Sequence, residues 1–397
     1  QARNLNTMFG MVRYWRTYMR EVKSNARRGF HPLDVALGLT ADKISMTLLA
    51  LGVRLATKLS FVEAQTTLSW FVPTAPSTEV IEHAVLGFGR HTAEWFEQAP
   101  APAGDGDVLI IMFDSKGAPT ATEEELARRR GKRRARPHGP SPRHRGRQRR
   151  KRYEKKPRRK KGDHSKNAKM ATMFVMYTLK REGGKLLGPL NRRVYASFAP
   201  KEHAFIIARR EADKRGFGKD SGKLVQIVTD GDDDLECYVA RYFSGAIHTI
   251  DIMHVVEKLW RAGECIFREG SDDLAAWIST MKQWLYTGHA VRVVSEVYAR
   301  FDATPKTGPG NKGKRERLEN VAFYLAKRVD KMNYRELIAQ DLEIATGPME
   351  GGIKNVIGKR CDHGGMRWIK ERAEALLQLR CIEINGDWDA FMAFVQA

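Results

Sequence analysis

Two short, uninterrupted apolar runs constrain the fold of this chain more than any other feature. Val108-Leu-Ile-Ile-Met-Phe113 leads into Asp114, and Leu224-Val-Gln-Ile-Val-Thr229 leads into Asp230. Runs of this length suit strands buried on both faces, as in sheets that carry helices on either side. Strand-like runs recur at 172–178, 193–198 and 246–251. Residues 201–215 have the apolar period of an amphipathic helix, and another helix is expected from Leu235 to Phe243. The expected order is three strands, helix, strand, helix, strand, and then helices. A meander followed by alternating helices and strands implies an α/β fold, a mixed sheet with helices on both faces.

That order is the ribonuclease H-like arrangement, expected over 108–254. Residues 1–97 read as a helical region. Ile44, Leu48, Leu51 and Leu55 recur at helical spacing, Ser60-x-x-Glu63 has the form of a capping box, and Pro73 and Pro76 precede a helix started by Ser77. Short helices joined by tight turns suggest a helix-turn-helix-like DNA-binding region, with a plain helical bundle as the alternative. Residues 98–107 read as a Pro/Gly/Ala linker. Residues 255–345 read as an all-helical insertion, and 346–397 as C-terminal core helices.

Charge is concentrated rather than spread. Residues 128–161 hold twenty Lys or Arg against the one acid Glu154, so this segment supplies +19 of the net +22 and everything else about +3. The segment includes Arg133, Arg149 and Lys160, and the insertion around it, 127–165, is expected to be disordered. Such a segment attracts polyanions by counterion release, and nucleic acid is the expected partner. It has almost no apolar residues to insert into a membrane surface, and no apolar stretch of spanning length occurs, so no membrane association is expected. Four widely spaced cysteines fit an intracellular protein with reduced thiols, and Cys361-x-His363 is too small for a zinc site. The chain opens on Gln1 rather than Met, which leaves room for an upstream start.

Asp114 and Asp230 are placed at strand ends, where loops leave room for ligands. A lone acid there is more often a helix cap, the reading that suits Asp232, Asp233 and Asp234 before their helix. Glu350 lies in the first turn of a helix marked by Gly347-Pro348; alone, it reads as a surface partner of Lys354. Together the three carboxylates form a minimal cage for hard cations, two Mg2+ or Mn2+ ions about 4 Å apart that serve an in-line phosphoryl transfer. Lys354, Lys359, Arg360 and Arg367 are the candidate contacts to the DNA strand. Asp251 also ends a strand and is the rival of Asp230; the bland alternative has it capping the next helix while His254 packs. Trp260, Trp277, Trp284 and Trp368 read as core residues, with base stacking the alternative for Trp260.

The pattern Asp230-Gly231, Asp251-Ile-Met-His254, Gly347-Pro-Met-Glu350-Gly-Gly-Ile-Lys354, Arg360 and Gly365-Met-Arg-Trp368 resembles bacterial insertion-sequence DDE transposases, of the group related to Mutator-like transposases. The resemblance spans roughly residues 30 to 380. It implies that Asp114, Asp230 and Glu350 are catalytic and hold the metal, and that Asp251 and His254 lie near the active site. It further implies double-stranded DNA, both terminal repeats and target, as the substrate. A homo-oligomer working on DNA in a bacterial cytoplasm is implied too. Met349 before the glutamate and the size of the basic segment depart from the family. The competing readings are a catalytically inactive transposase-derived DNA-binding protein and an RNA-binding protein.

Overall fold

The computed structural model describes residues 1–20, 29–37, 39, 43–129, 169–362 and 366–396. Strands β1 (Ala2–Thr7) and β2 (Gly10–Trp15) form an antiparallel hairpin. Helices α1 (Pro32–Ala36), α2 (Met46–Ala56), α3 (Phe61–Ser69), α4 (Thr78–Gly89) and α5 (Thr92–Gln98) follow. The central part runs β3 (Val108–Ala118), α6 (Glu123–Arg129), β4 (Lys169–Glu182), β5 (Lys185–Ser197), α7 (Lys201–Lys214), β6 (Leu224–Thr229), α8 (Asp233–Tyr242) and β7 (Ile247–Ile250). Then come α9 (Ile252–Gly263), α10 (Asp272–Tyr286), α11 (Ala290–Ala303), α12 (Asn311–Ala326) and α13 (Tyr334–Ala339). The chain ends with α14 (Gly347–Ile353), a π-helical turn over Lys354–Gly358, α15 (Lys359–Cys361), α16 (Lys370–Ile384) and α17 (Trp388–Gln396).

The five central strands form one mixed sheet in the order β5-β4-β3-β6-β7. β4 is antiparallel to β3 and β5, whereas β6 is parallel to both β3 and β7. The continuous apolar runs are explained by cover on both faces. Leu109, Ile111 and Phe113 point into a core shared with α7 and α8, where Phe113 stacks on Phe205 at 3.8 Å. Val108, Ile110 and Met112 point the other way, into a core shared with α14, α16 and the N-terminal helices. Burying one such side chain fully is worth about 1.5–3 kcal/mol.

The helices of 46–98 start where their caps indicate. Ser60 accepts from the Glu63 N–H at 3.2 Å while Glu63 accepts from the Ser60 N–H at 2.9 Å, completing the capping box. These helices join the central core: Gly89 of α4 lies against Ala375 of α16, where an added Cβ would stand 2.5 Å from the Ala375 Cβ. No described helix is long and apolar enough to cross a membrane.

Several expectations are revised. The first fifteen residues, expected within a helical region, are the hairpin, where Arg3 and Leu5 face inward with strand period two. β3 does not stop at Asp114: β4 continues beside it and carries the ladder to Ala118, while its parallel neighbour β6 ends at Thr229. Residues 98–107 are irregular but pinned, since Asp105 pairs with the buried Arg215 at 2.5 Å and accepts from Asn191 at 2.9 Å. The helical region expected from residue 255 opens earlier, at Ile252 with Asp251 as its cap, which is the alternative reading of Asp251. Of the basic insertion, residues 127–129 close α6; from 130 onward, Arg133, Arg149 and Lys160 included, it lies outside the described residues.

Candidate active site

The sheet register puts three aspartates in a row. Phe113 of β3 pairs with Thr229 of β6, and Thr229 with Ile250 of β7, so the next residues, Asp114, Asp230 and Asp251, stand side by side. Neighbouring strands lie about 4.8 Å apart. Burial first, then the charges of Asp230 and Asp251, push the Asp114 carboxyl up to about 6 against the opposing bond from the Ser115 N–H and the attraction of His254. The Asp114 carboxyl is thus short of positive charge.

Asp230 sits in a braced turn. Its side chain accepts from the Asp232 N–H at 2.9 Å, and its carbonyl accepts from the Tyr324 hydroxyl of α12 at 2.8 Å. Gly231 has φ +80, and a Cβ there would stand 2.4 Å from the Tyr324 hydroxyl, so only glycine fits. The acids that follow serve α8, as expected. Asp232 caps it, and Asp233 pairs with Lys327 and Arg328 at 2.5 and 2.6 Å. Another tyrosine of the helical insertion, Tyr334, donates to the Ile250 carbonyl at the end of β7, at 2.9 Å. The insertion thus ties down the ends of both β6 and β7.

Asp251 is fully buried and caps α9. Its oxygens take the Met253 N–H at 2.7 Å, His254 Nδ1 at 3.3 Å and the Thr346 hydroxyl. Burial alone would raise its pKa, but these donors win and hold it below the ordinary carboxylate value. The bond from Asp251 raises the pKa of His254 in turn. With its oxygens engaged, Asp251 is a brace, and Asp230 is the more open carboxylate.

Glu350 is exposed in the first turn of α14. By strand alternation Asp114 shares its sheet face with Ile110 and Met112, and α14 packs on that face. Gly352 approaches Met173, the cross-strand partner of Asp114, so closely that a Cβ would stand 2.8 Å from the Met173 Cε. Among the described residues no three His, Cys, Asp or Glu side chains already converge as a ligand set. The donor chemistry fits a hard divalent cation: carboxylate oxygens whose mutual repulsion such an ion would relieve.

Lys354, Lys359 and Arg367 are exposed. Arg360 is not: it is 2% exposed, donates to the Ala56 carbonyl at 2.7 Å, and lies over the Trp368 ring at 4.7 Å and the Phe61 ring at 5.3 Å. Burial pushes its pKa down to about 10. Expected as a DNA contact, it is instead a core residue, because its planar group fills the gap between two aromatic rings. Trp368 closes the segment onto the end of β3 by donating its backbone N–H to the Pro119 carbonyl at 3.0 Å.

Sequence reasoning missed Tyr324, Arg328, Thr346 and Lys258. The Tyr324/Arg328 spacing of four marks a shared helix face, but nothing in the sequence says which loop that face meets. No protein-family model matches the chain, and no curated protein shows detectable similarity to it.

Proposed function

We propose that the protein is a metal-dependent DNA transposase of the DDE type, built on a ribonuclease H-like core, that cuts and joins DNA strands. The observation that carries this reading is the adjacency of Asp114 and Asp230 on parallel strands, with the helix of Glu350 over the same sheet face. The strand order and directions support the fold reading. Asp114, Asp230 and Glu350 would hold two Mg2+ or Mn2+ ions, which activate the attacking oxygen and stabilise the leaving one in an in-line displacement at phosphorus. Asp251 holds His254 beside the site and ties it to α14. Lys354, Lys359 and Arg367, all exposed, would contact phosphates of the bound strand. The helices of 46–98 and the basic segment supply further duplex contacts, on the terminal repeats and the target. Holding two ends together calls for a homo-oligomer.

The test is nicking of supercoiled DNA by the full chain with Mg2+ or Mn2+. Wild type nicks, and Asp230→Asn and Glu350→Gln do not. Equal behaviour of wild type and Asp230→Asn would overturn the catalytic reading. A catalytically silent DNA-binding protein is the competing reading, and the exposed position of Glu350 in the first turn of α14 is compatible with it. It requires that wild type bind DNA without nicking it under either metal.

A further inference from the structure

The Tyr324 ring that braces Asp230 carries two cations. The Arg328 guanidinium lies 4.1 Å from its centroid and the Lys258 ammonium 4.8 Å. Their charges are treated differently. Arg328 is neutralised by Asp233 and Glu236. Lys258 is half-buried and forms no ion pair among the described residues, and neither does Arg261 one turn further on. Lys258 thus sits one aromatic ring away from the Asp230 turn.

Helix α9 sets the line. It starts at the Asp251 cap, and His254, Lys258 and Arg261 follow at spacings of three or four, on one helix face. His254 is about a third exposed, and Arg261 is exposed. A cationic strip therefore runs outward from the aspartate row. The tyrosine face attracts the ammonium, but its partial desolvation remains a cost that an anion would offset. Glu257, the neighbouring acid, is exposed and forms no ion pair with it among the described residues. Binding of divalent ions at Asp114 and Asp230 would leave the strip still less compensated.

We propose that Lys258, followed by Arg261, binds consecutive phosphodiester groups of a nucleic-acid strand as it leaves the Asp114/Asp230 site. The nature of the ligand rests on the transposase reading; the residues and the path are additional to it. Lysine suits the inner position, being a compact point charge on a stem that Tyr324 holds.

The experiment measures binding of a fluorescent 20-base-pair DNA duplex to the full chain in EDTA, across a series of salt concentrations. Lys258→Met keeps the apolar stem on Tyr324 and removes the charge. It is expected to reduce the slope of log affinity against log salt by about 0.9, and the double variant with Arg261→Gln by about 1.8. Lys258→Arg should retain the wild-type slope. The urea midpoint of each variant shows whether the fold is kept. A wild-type slope in well-folded Lys258→Met and in the double variant would overturn the proposal, leaving Lys258 as a packing residue. A reduced slope in a protein that never nicks DNA would sustain the phosphate path while defeating the transposase reading. If Lys258→Met unfolds, the slope of Arg261→Gln alone decides: unchanged, it overturns the path.

Discussion

The Thr346 hydroxyl donates to the carboxylate of Asp251, and so joins the end of β7 to the residue that opens the helix carrying Glu350. Asp251 also caps α9 and holds His254, so one buried carboxylate sets the relative position of two helices that flank Asp114 and Asp230. Thr346→Val keeps the shape of the side chain and removes only the bond. It leaves a buried acceptor with one donor fewer, a loss of about 1 kcal/mol in stability. Outer contacts that orient metal ligands matter more to activity than to folding, so nicking should fall by about 10- to 100-fold. Urea unfolding together with nicking rates checks the pair of effects. Unchanged nicking would show that α14 is positioned by its packing alone.

The Asp251–His254 pair gives stability a pH window. Asp251 is held below its ordinary value, so its contribution is present above its unfolded pKa of about 3.9 and is lost as pH falls through the lower folded value. The His254 value is raised, so its contribution is full below about 6.5 and is lost as pH rises through the folded value. The pair therefore helps most between about pH 4 and 6.5. The stability difference between wild type and His254→Ala, measured by urea unfolding, should shrink on going from pH 6 to pH 9. A difference that stays flat would mean that the two side chains do not interact as a charged pair.

Arg328 is 4% exposed and is enclosed by Tyr324, Asp233 and Glu236. Removing one partner of a buried ion pair costs about 3–5 kcal/mol, since the other is left uncompensated. Arg328→Met should lie near the low end of that range, because Lys331 still reaches Glu236 at 2.8 Å. Adding Glu236→Gln should return part of the loss, and a double-mutant cycle in urea measures how much. Strict additivity would show that the two groups are not coupled.

The parts of the site legible in the sequence were those set by local rules. β3 and β6 announce themselves by apolar runs that both faces of the sheet require, and the Asp230-Gly231 turn by a glycine that Tyr324 leaves no room to replace. The parts not legible depend on distant approach. Tyr324 lies 94 positions from Asp230, and Thr346 lies 95 from Asp251; no periodicity announces either meeting. Arg360 misled because a basic run reads as surface, whereas Phe61, from a remote part of the chain, and the nearby Trp368 close over it. The hairpin was missed because its alternation is weak, with one face largely exposed.

Gly231→Ala tests the turn directly. The residue has φ +80, which costs a side chain about 1–2 kcal/mol, and the new methyl group would collide with the Tyr324 hydroxyl. The turn must move, and Asp230 with it. Nicking should be lost while the far-ultraviolet circular dichroism stays that of a folded protein. Tyr324→Phe in the same chain removes the nearest clashing atom and should recover part of the stability. Wild-type nicking by Gly231→Ala would mean that the position of Asp230 is not set by this turn.

The basic residues near Glu350 divide into two kinds, and charge removal separates them. Lys354 and Lys359 are exposed, so Lys354→Gln and Lys359→Gln should leave the urea midpoint unchanged. Each should lower the salt slope of DNA binding by about 0.9 if it meets one phosphate. Arg360 should behave in the opposite way. Arg360→Gln abandons the stacking on Trp368 and Phe61 and the bond to the Ala56 carbonyl. A charged group hydrogen-bonded to a buried carbonyl is worth about 1.5–3 kcal/mol, and the cavity left by the shorter side chain adds to the loss. Stability should therefore fall, while folded molecules bind DNA with the wild-type slope. If Arg360→Gln instead reduced the slope at full stability, the guanidinium would have to swing out from between its two rings when DNA binds.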